Sequence, residues 1–114
     1  MLTIDMLKEF GVNTEEGLQR CFGNEDFYMK LVKMIPADGN FQRLEEALAS
    51  GNLTAGFEAA HALKGALGNL SLTPLYNPVV EITEFLRNGT EMDYGPLAET
   101  IKSRRDQLAA LCAD

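Results

Sequence analysis

The sequence predicts an all-α protein: an antiparallel up-and-down bundle of four main helices with a short additional N-terminal helix. Three observations carry this expectation. Apolar residues recur in steps of three and four along most of the chain. No run of β-branched residues alternates with polar ones, and no Asn-Gly turn lies between two such runs. Connections of a few residues between long amphipathic stretches favour antiparallel neighbours. Residues 1–114 read as a single domain, long enough for an apolar core and too short for two.

The elements follow in order. Thr3 caps a short first helix that ends at Phe10-Gly11. Asn13 or Thr14, followed by Glu15 and Glu16, opens a second, and Gly23 stops it. Asn24 precedes Glu25 and Asp26, acidic residues suited to the positive end of a helix. From there Phe27, Leu31, Met34 and Ile35 form one apolar stripe, and Pro36 is expected to kink or break the helix. Phe41, Leu44, Ala47 and Leu48 carry the stripe on to Ser50-Gly51. The next helix spans Leu53 to Leu70, capped by Asn52 or Thr54. Thr73-Pro74 is a good cap and first turn for another. Pro78 sits awkwardly four residues later, so the regular part is expected to begin only there. Val79, Val80, Ile82, Phe85 and Leu86 supply its apolar face, and Asn88-Gly89 ends it. The last helix starts near Asp93 to Pro96 and turns Leu97, Ile101, Leu108 and Leu111 inward.

Charge and composition exclude several function classes. Ten Lys and Arg stand against seventeen Asp and Glu, a formal net charge of −7. Such a surface repels nucleic acid, whose binding depends on neutralising phosphates. No apolar run is long enough to span a bilayer, and the N-terminus lacks the basic-then-apolar pattern of a signal peptide. The expectation is a cytoplasmic protein with neither nucleic acid nor membrane as a partner. Met1 and the compact ending at Asp114 favour a standalone chain, although a piece of a larger protein would look the same. Cys21 and Cys112 lie in apolar helical stretches without metal-like spacing, which reads as buried free thiols.

The chemistry gathers around the one histidine. On a wheel of about 100° per residue, Leu53, Gly56, Ala60, Leu63, Leu67 and Leu70 form a buried seam, and His61 points away from it. Thr54 and Glu58 precede His61 on its own side; Gly65 and Gly68 follow it. Lys64 lies on the flank, within a turn of the imidazole. Each glycine costs about 1 kcal/mol against alanine inside a helix, so each needs a reason. Close packing explains Gly56, on the seam. On the wheel it does not explain Gly65 and Gly68, which leave room for another surface to approach His61. Lys64 then supplies a cation where an anion would sit. An accessible imidazole beside a cation suits a nucleophile that becomes phosphorylated. With one histidine and scattered carboxylates, neither a metal cluster nor a catalytic triad can be assembled.

The stretch Ala60-His61-Ala62-Leu63-Lys64-Gly65-Ala66-Leu67-Gly68-Asn69-Leu70 resembles the signature of histidine-containing phosphotransfer (HPt) domains of two-component phosphorelays. That pattern has a histidine, a lysine three later, a glycine four later, a small residue at seven and often asparagine at eight. His61, Lys64, Gly65, Gly68 and Asn69 fill those places. The departure is Ser71, where many members have glycine. The helical pattern on either side matches the family's bundle over nearly the whole chain.

The resemblance implies a phosphorelay intermediate. His61 takes a phosphoryl group from the aspartyl-phosphate of a response-regulator receiver domain and hands it to another. Receiver domains, a hybrid histidine kinase, or both are the implied partners. The domain would be a phosphocarrier without kinase activity of its own and would need no cofactor, the Mg²⁺ belonging to the receiver. The sequence agrees in having no glycine-rich phosphate loop. Lys64 compensates phosphate charge; Gly65, Gly68, Glu58 and Phe57 face the docked receiver. Phe57 borders the seam, and its ordinary reading is core; its alternative is an apolar docking anchor, which residues near Phe27 to Lys33 could extend. Asn69, about 80° round the wheel from His61, holds the helix end. Two alternatives share this fold: an interaction module that no longer transfers phosphate, and the phosphoacceptor domain of a chemotaxis-type kinase.

Overall fold

The computed structural model describes residues 1–113. Those residues form seven α-helices and no strand: α1 (Ile4–Phe10), α2 (Thr14–Arg20), α3 (Glu25–Met34), α4 (Gly39–Ser50), α5 (Leu53–Asn69), α6 (Thr73–Arg87) and α7 (Gly95–Cys112). A short 3-10 turn, Ile35–Ala37, joins α3 to α4. The helix starts follow from side-chain capping. Thr3, Asn13, Asn24 and Asn52 each accept a hydrogen bond from the backbone N–H three residues on, satisfying a donor the helix cannot. Asp38 caps α4 in the same sense, through the N–H of Asn40. Three elements, α1 to α3, precede the four long helices; the stripe expected to run from Phe27 to Ser50 is divided at Pro36 into α3 and α4, so the N-terminal addition is larger than one short helix.

The long helices pack in chain order, α4 on α5, α5 on α6 and α6 on α7, and α7 also meets the 3-10 turn. Phe41, Leu44, Leu63, Leu67, Val79, Ile82, Ile101 and Leu108 meet in the core. At Gly56 the missing side chain lets Leu86 of α6 and Ala47 of α4 close in; a Cβ there would lie 3.4 Å from Leu86 and 3.8 Å from Ala47. Cys21 is buried, whereas Cys112 is only half-buried; both are free thiols. Burial raises the Cys112 thiol above its ordinary range, and Lys33 offsets this in part.

Two expectations fail for identifiable reasons. The first concerns α3, whose core face is Tyr28, Val32 and Ile35, one position on from the expected stripe. Phe27 and Met34 are exposed and Leu31 is half-buried. Both rows have helical spacing, and packing chose the one that carries Tyr28. The second concerns α6, which is regular from Thr73, with Pro78 inside it. Pro78 has no N–H to give to the carbonyl of Pro74. That carbonyl instead accepts from Arg104 Nη1 of α7 at 2.8 Å, so a neighbouring helix supplies the donor that the proline lacks.

The N-terminal helices are fastened at one junction. Tyr28 is fully buried, and its hydroxyl donates to the carbonyl of Leu70, at the end of α5, at 2.8 Å. Burial, reinforced by Cys21 nearby, pushes its phenol up to about 12. Gly17 of α2 lies against this bond. A Cβ there would stand 2.6 Å from the Tyr28 ring and 2.7 Å from the Leu70 oxygen. Asn13 N–H donates to the Ser71 carbonyl at 3.2 Å. Together these contacts hold α2 beside the C-terminal end of α5.

That end has its own geometry. Ser71 adopts φ +54, in the left-handed region. The Ser71 N–H bonds to the Gly68 carbonyl and the Leu72 N–H to the Leu67 carbonyl, each at 3.1 Å. This is the two-bond Schellman closure, which usually places glycine where Ser71 stands. The Ser71 hydroxyl is buried and has no hydrogen-bond partner among the described residues.

Two stability measurements test this account. Gly17→Ala is expected to cost about 1–3 kcal/mol in urea unfolding, because backbone as well as ring must shift. Ser71→Gly is expected to stabilise by about 1 kcal/mol. Relief of left-handed strain, about 1–2 kcal/mol, and of an unpaired hydroxyl outweighs the extra chain entropy of glycine, about 0.4–1 kcal/mol. A destabilised Ser71→Gly would show that the hydroxyl has a use the geometry does not reveal.

Candidate functional site

The buried seam of α5 comprises Gly56, Ala59, Ala60, Leu63 and Leu67, which leaves His61 on the opposite, exposed side. Its ring is not loose. It stacks on Phe57 one turn earlier, with centroids 5.5 Å apart and planes inclined by 23°. The Arg87 guanidinium, from the end of α6, lies 5.2 Å from the Phe57 ring centroid. Phe57 is half-buried and also packs on the core. It therefore reads as both core and neighbour: a ring anchored below that presents a flat face to the imidazole above. An aromatic pair of this kind contributes about 0.5–1.5 kcal/mol, enough to bias the orientation of an otherwise solvated ring.

Beside His61 lies an open cleft of about 510 Å³. On the α5 side it is lined by His61, Lys64, Gly65, Gly68 and Asn69. These five expected site residues therefore share one surface. Lys64 is half-buried and makes no ion pair with any described residue. Gly65 is open, since a Cβ there would meet no atom within 4 Å. Gly68 is different. A Cβ there would stand 3.0 Å from Tyr76 of α6, so packing explains this glycine at least as well as access does. The wheel could not show this, because Tyr76 reaches over from another helix.

Two further assignments change. Glu58 is exposed, but it lines a separate groove between α4 and α5, with Asn40, Arg43 and Ser50, and not the His61 cleft. Asn69 is exposed in the cleft, and its side chain makes no hydrogen bond with a described residue; the Schellman bonds and Tyr28 hold the helix end instead. The far wall of the cleft was not foreseen. It is formed by Glu16 and Arg20 of α2, by Ser71, and by Thr73, Tyr76 and Asn77 of α6. No periodicity links α2 to α5 across forty residues of chain; the junction at Gly17 and Tyr28 and the bond from Asn13 to Ser71 bring them together.

On its other flank α5 borders an apolar groove with α3, lined by Leu31, Met34, Ala66, Asn69 and Leu70. Asn69 lines both the groove and the His61 cleft. The outward row of α3 thus adjoins the histidine-bearing helix. Among the described residues no group of three or more His, Cys, Asp or Glu could hold a metal ion. Among the described residues no helix is long and apolar enough to cross a membrane.

A family model described as the Hpt domain matches residues 36–113, more than half of the chain. That span takes in α4 to α7 and leaves out α1, α2 and α3. Neither the curated proteins nor the solved structures gave a match.

The two glycines of the cleft separate in a single experiment. Gly65→Ala is expected to stabilise the protein by about 0.5–1 kcal/mol, the helix propensity of alanine with nothing displaced. Gly68→Ala is expected to gain less, because Tyr76 must move. Equal gains in urea unfolding would show that Tyr76 does not constrain Gly68.

Proposed function

The chain belongs to the Hpt domain family, whose members carry out histidine phosphotransfer in two-component signalling, and from that premise we propose that His61 is its phosphoryl carrier. The observation that carries the reading is the exposed imidazole of His61, stacked on Phe57 and sharing a cleft with Lys64 and the bare backbone of Gly65. In the proposed step, the unprotonated nitrogen of the neutral ring attacks the phosphorus of a receiver's aspartyl-phosphate. A P–N bond forms, the P–O bond to the carboxylate breaks, and the aspartate leaves as its anion. The other ring nitrogen keeps its proton, so the phosphorylated ring carries a positive charge beside the phosphate. Transfer to a second receiver is the reverse step.

Such transfer asks mainly for positioning and charge compensation. The stacking of Phe57 supplies positioning, and Lys64 supplies a cation for the phosphate oxygens. Gly65 leaves room for an approaching surface. The chain is a phosphocarrier on this reading, without kinase activity of its own, and Mg²⁺ comes with the receiver. Leu31 and Met34 of the outward row of α3 share an apolar groove with α5 and extend a docking face from the histidine, as suits transient interfaces with an apolar centre and polar rim. Glu58, in its separate groove, fits an edge contact at most. Helices α4 to α7 serve as an antiparallel four-helix scaffold within one domain, and the receiver partners place the chain in the cytoplasm.

Incubation with a phosphorylated receiver tests the reading. The wild type is expected to acquire an acid-labile label and His61→Gln none, the variant staying folded and losing at most about 0.5–1.5 kcal/mol, the worth of the stack on Phe57. Lys64→Ala is expected to slow transfer about tenfold, equivalent to about 1.4 kcal/mol in the barrier. Equal labelling of wild type and His61→Gln would sink the proposal.

A further inference from the structure

The cleft beside His61 draws on a part of the chain outside the matched residues. Arg20 of α2 lines it together with His61 and Lys64. In this structure Arg20 is engaged elsewhere: its Nε and Nη2 both lie 3.1 Å from Oε1 of Glu16, one turn back. The other oxygen of Glu16 accepts from Asn13 Nδ2 at 3.2 Å, which holds the carboxylate in place. Both partners of the ion pair are about half exposed, at 51% and 47%. A pair that exposed contributes about 0–1 kcal/mol, so it exchanges readily.

Phosphorylation of His61 would change the balance in the cleft. A phosphoryl group brings about −1.5 to −2 charges and three strong acceptor oxygens. Guanidinium matches phosphate through two parallel N–H bonds, which a single carboxylate oxygen does not offer. The chain as a whole is at −7, so cations near the histidine have an outsized effect on a new anion. Moreover α2 is not free to drift. Gly17, three residues before Arg20, is pressed against Tyr28 and Leu70, and Asn13 is bonded to Ser71.

We propose that Arg20 is a second cationic contact for the phosphoryl group on His61, parked on Glu16 in the empty state and transferred to the phosphate on loading. The N-terminal helices then do more than cover the bundle: they complete the site. This inference rests on the phosphocarrier reading above. It makes Glu16 a competitor, since its carboxylate would face the phosphate whenever Arg20 is removed. The charged and titratable groups around the phosphate would be Glu16 and Arg20 from α2, the His61 ring and Lys64 from α5, and Tyr76 from α6, with Arg87 of α6 behind Phe57.

The test loads the full chain chemically with phosphoramidate, which transfers its phosphoryl group to histidine and releases ammonia, so that no receiver is needed. The pH titration of the bound phosphate is then followed by ³¹P NMR, together with the lifetime of the phosphohistidine. A nearby cation lowers the second ionisation of the phosphate. Arg20→Gln is therefore expected to raise that midpoint by about half a pH unit or more, Arg20→Lys to restore most of the difference, and Glu16→Gln to lower it. Glu16→Gln combined with Arg20→Gln should fall between the single variants, because the exposed carboxylate is gone too. Titrations of Arg20→Gln and Glu16→Gln that coincide with wild type, on folded protein, overturn the role of Arg20. Absence of phosphohistidine on the wild type, or its presence on His61→Gln, overturns the phosphocarrier reading itself and this inference with it.

Discussion

The hydrogen bond from Tyr28 to the Leu70 carbonyl joins two parts of the chain that periodicity alone would leave independent. It sits where the end of α5, the start of α6 and the second N-terminal helix meet, and it is fully buried. A phenol in that setting is costly unless its hydroxyl is paired, and a helix-terminal carbonyl is costly unless it finds a donor. Each satisfies the other. Gly17 allows the approach, because no larger residue fits between the ring and the carbonyl. The location of α2, and so the far wall of the His61 cleft, follows from this contact, the packing of Gly17 against it and the bond from Asn13 to Ser71.

The histidine face shows the opposite kind of design. His61 is exposed, Lys64 has no ion-pair partner among the described residues, and Gly65 has nothing above it. Little there contributes to stability. What restrains the site lies underneath: the buried seam of α5, the half-buried Phe57 and the Arg87 guanidinium across it. A nucleophile that must meet a partner's phosphorus needs an open upper side and a rigid lower one, and the helix provides both because its period of about 3.6 residues puts Gly56, Ala60, Leu63 and Leu67 on one face and His61 and Gly65 on another. The Glu16–Arg20 pair fits the same logic, as a weak surface contact placed where a stronger anion would arrive.

Proline and glycine positions show how neighbouring helices decide the meaning of a residue. Pro78 would end an isolated helix, yet α6 runs through it because Arg104 of α7 takes up the orphaned carbonyl. Gly68 looked like open space on a single-helix wheel and is instead the seat of Tyr76. Ser71 holds a left-handed turn without being glycine, and two backbone bonds to Leu67 and Gly68 keep it there. In each case local propensity states a cost, and a residue from elsewhere determines whether that cost is met.

Legible in the chain alone were the all-helical class, the cap at Thr3, the helix starts near Asn13 or Thr14, Asn24 and Asn52 or Thr54, the seam of α5 and the grouping of His61, Lys64 and Gly65 on one exposed side. These are properties of one helix at a time, set by a period of 3.6 residues and by the first-turn donors, and both can be read within a window of a dozen residues. Packing between helices settled which of the two rows of α3 faces inward, what covers Gly68, which groove Glu58 lines and that Arg20 shares the cleft of the histidine. Those depend on which helices touch. Contacts between residues forty or more positions apart, such as Tyr28 with Leu70, leave no periodic trace in the chain. The histidine was legible because its setting is local; the opposite wall of its cleft was not, because another helix brings it.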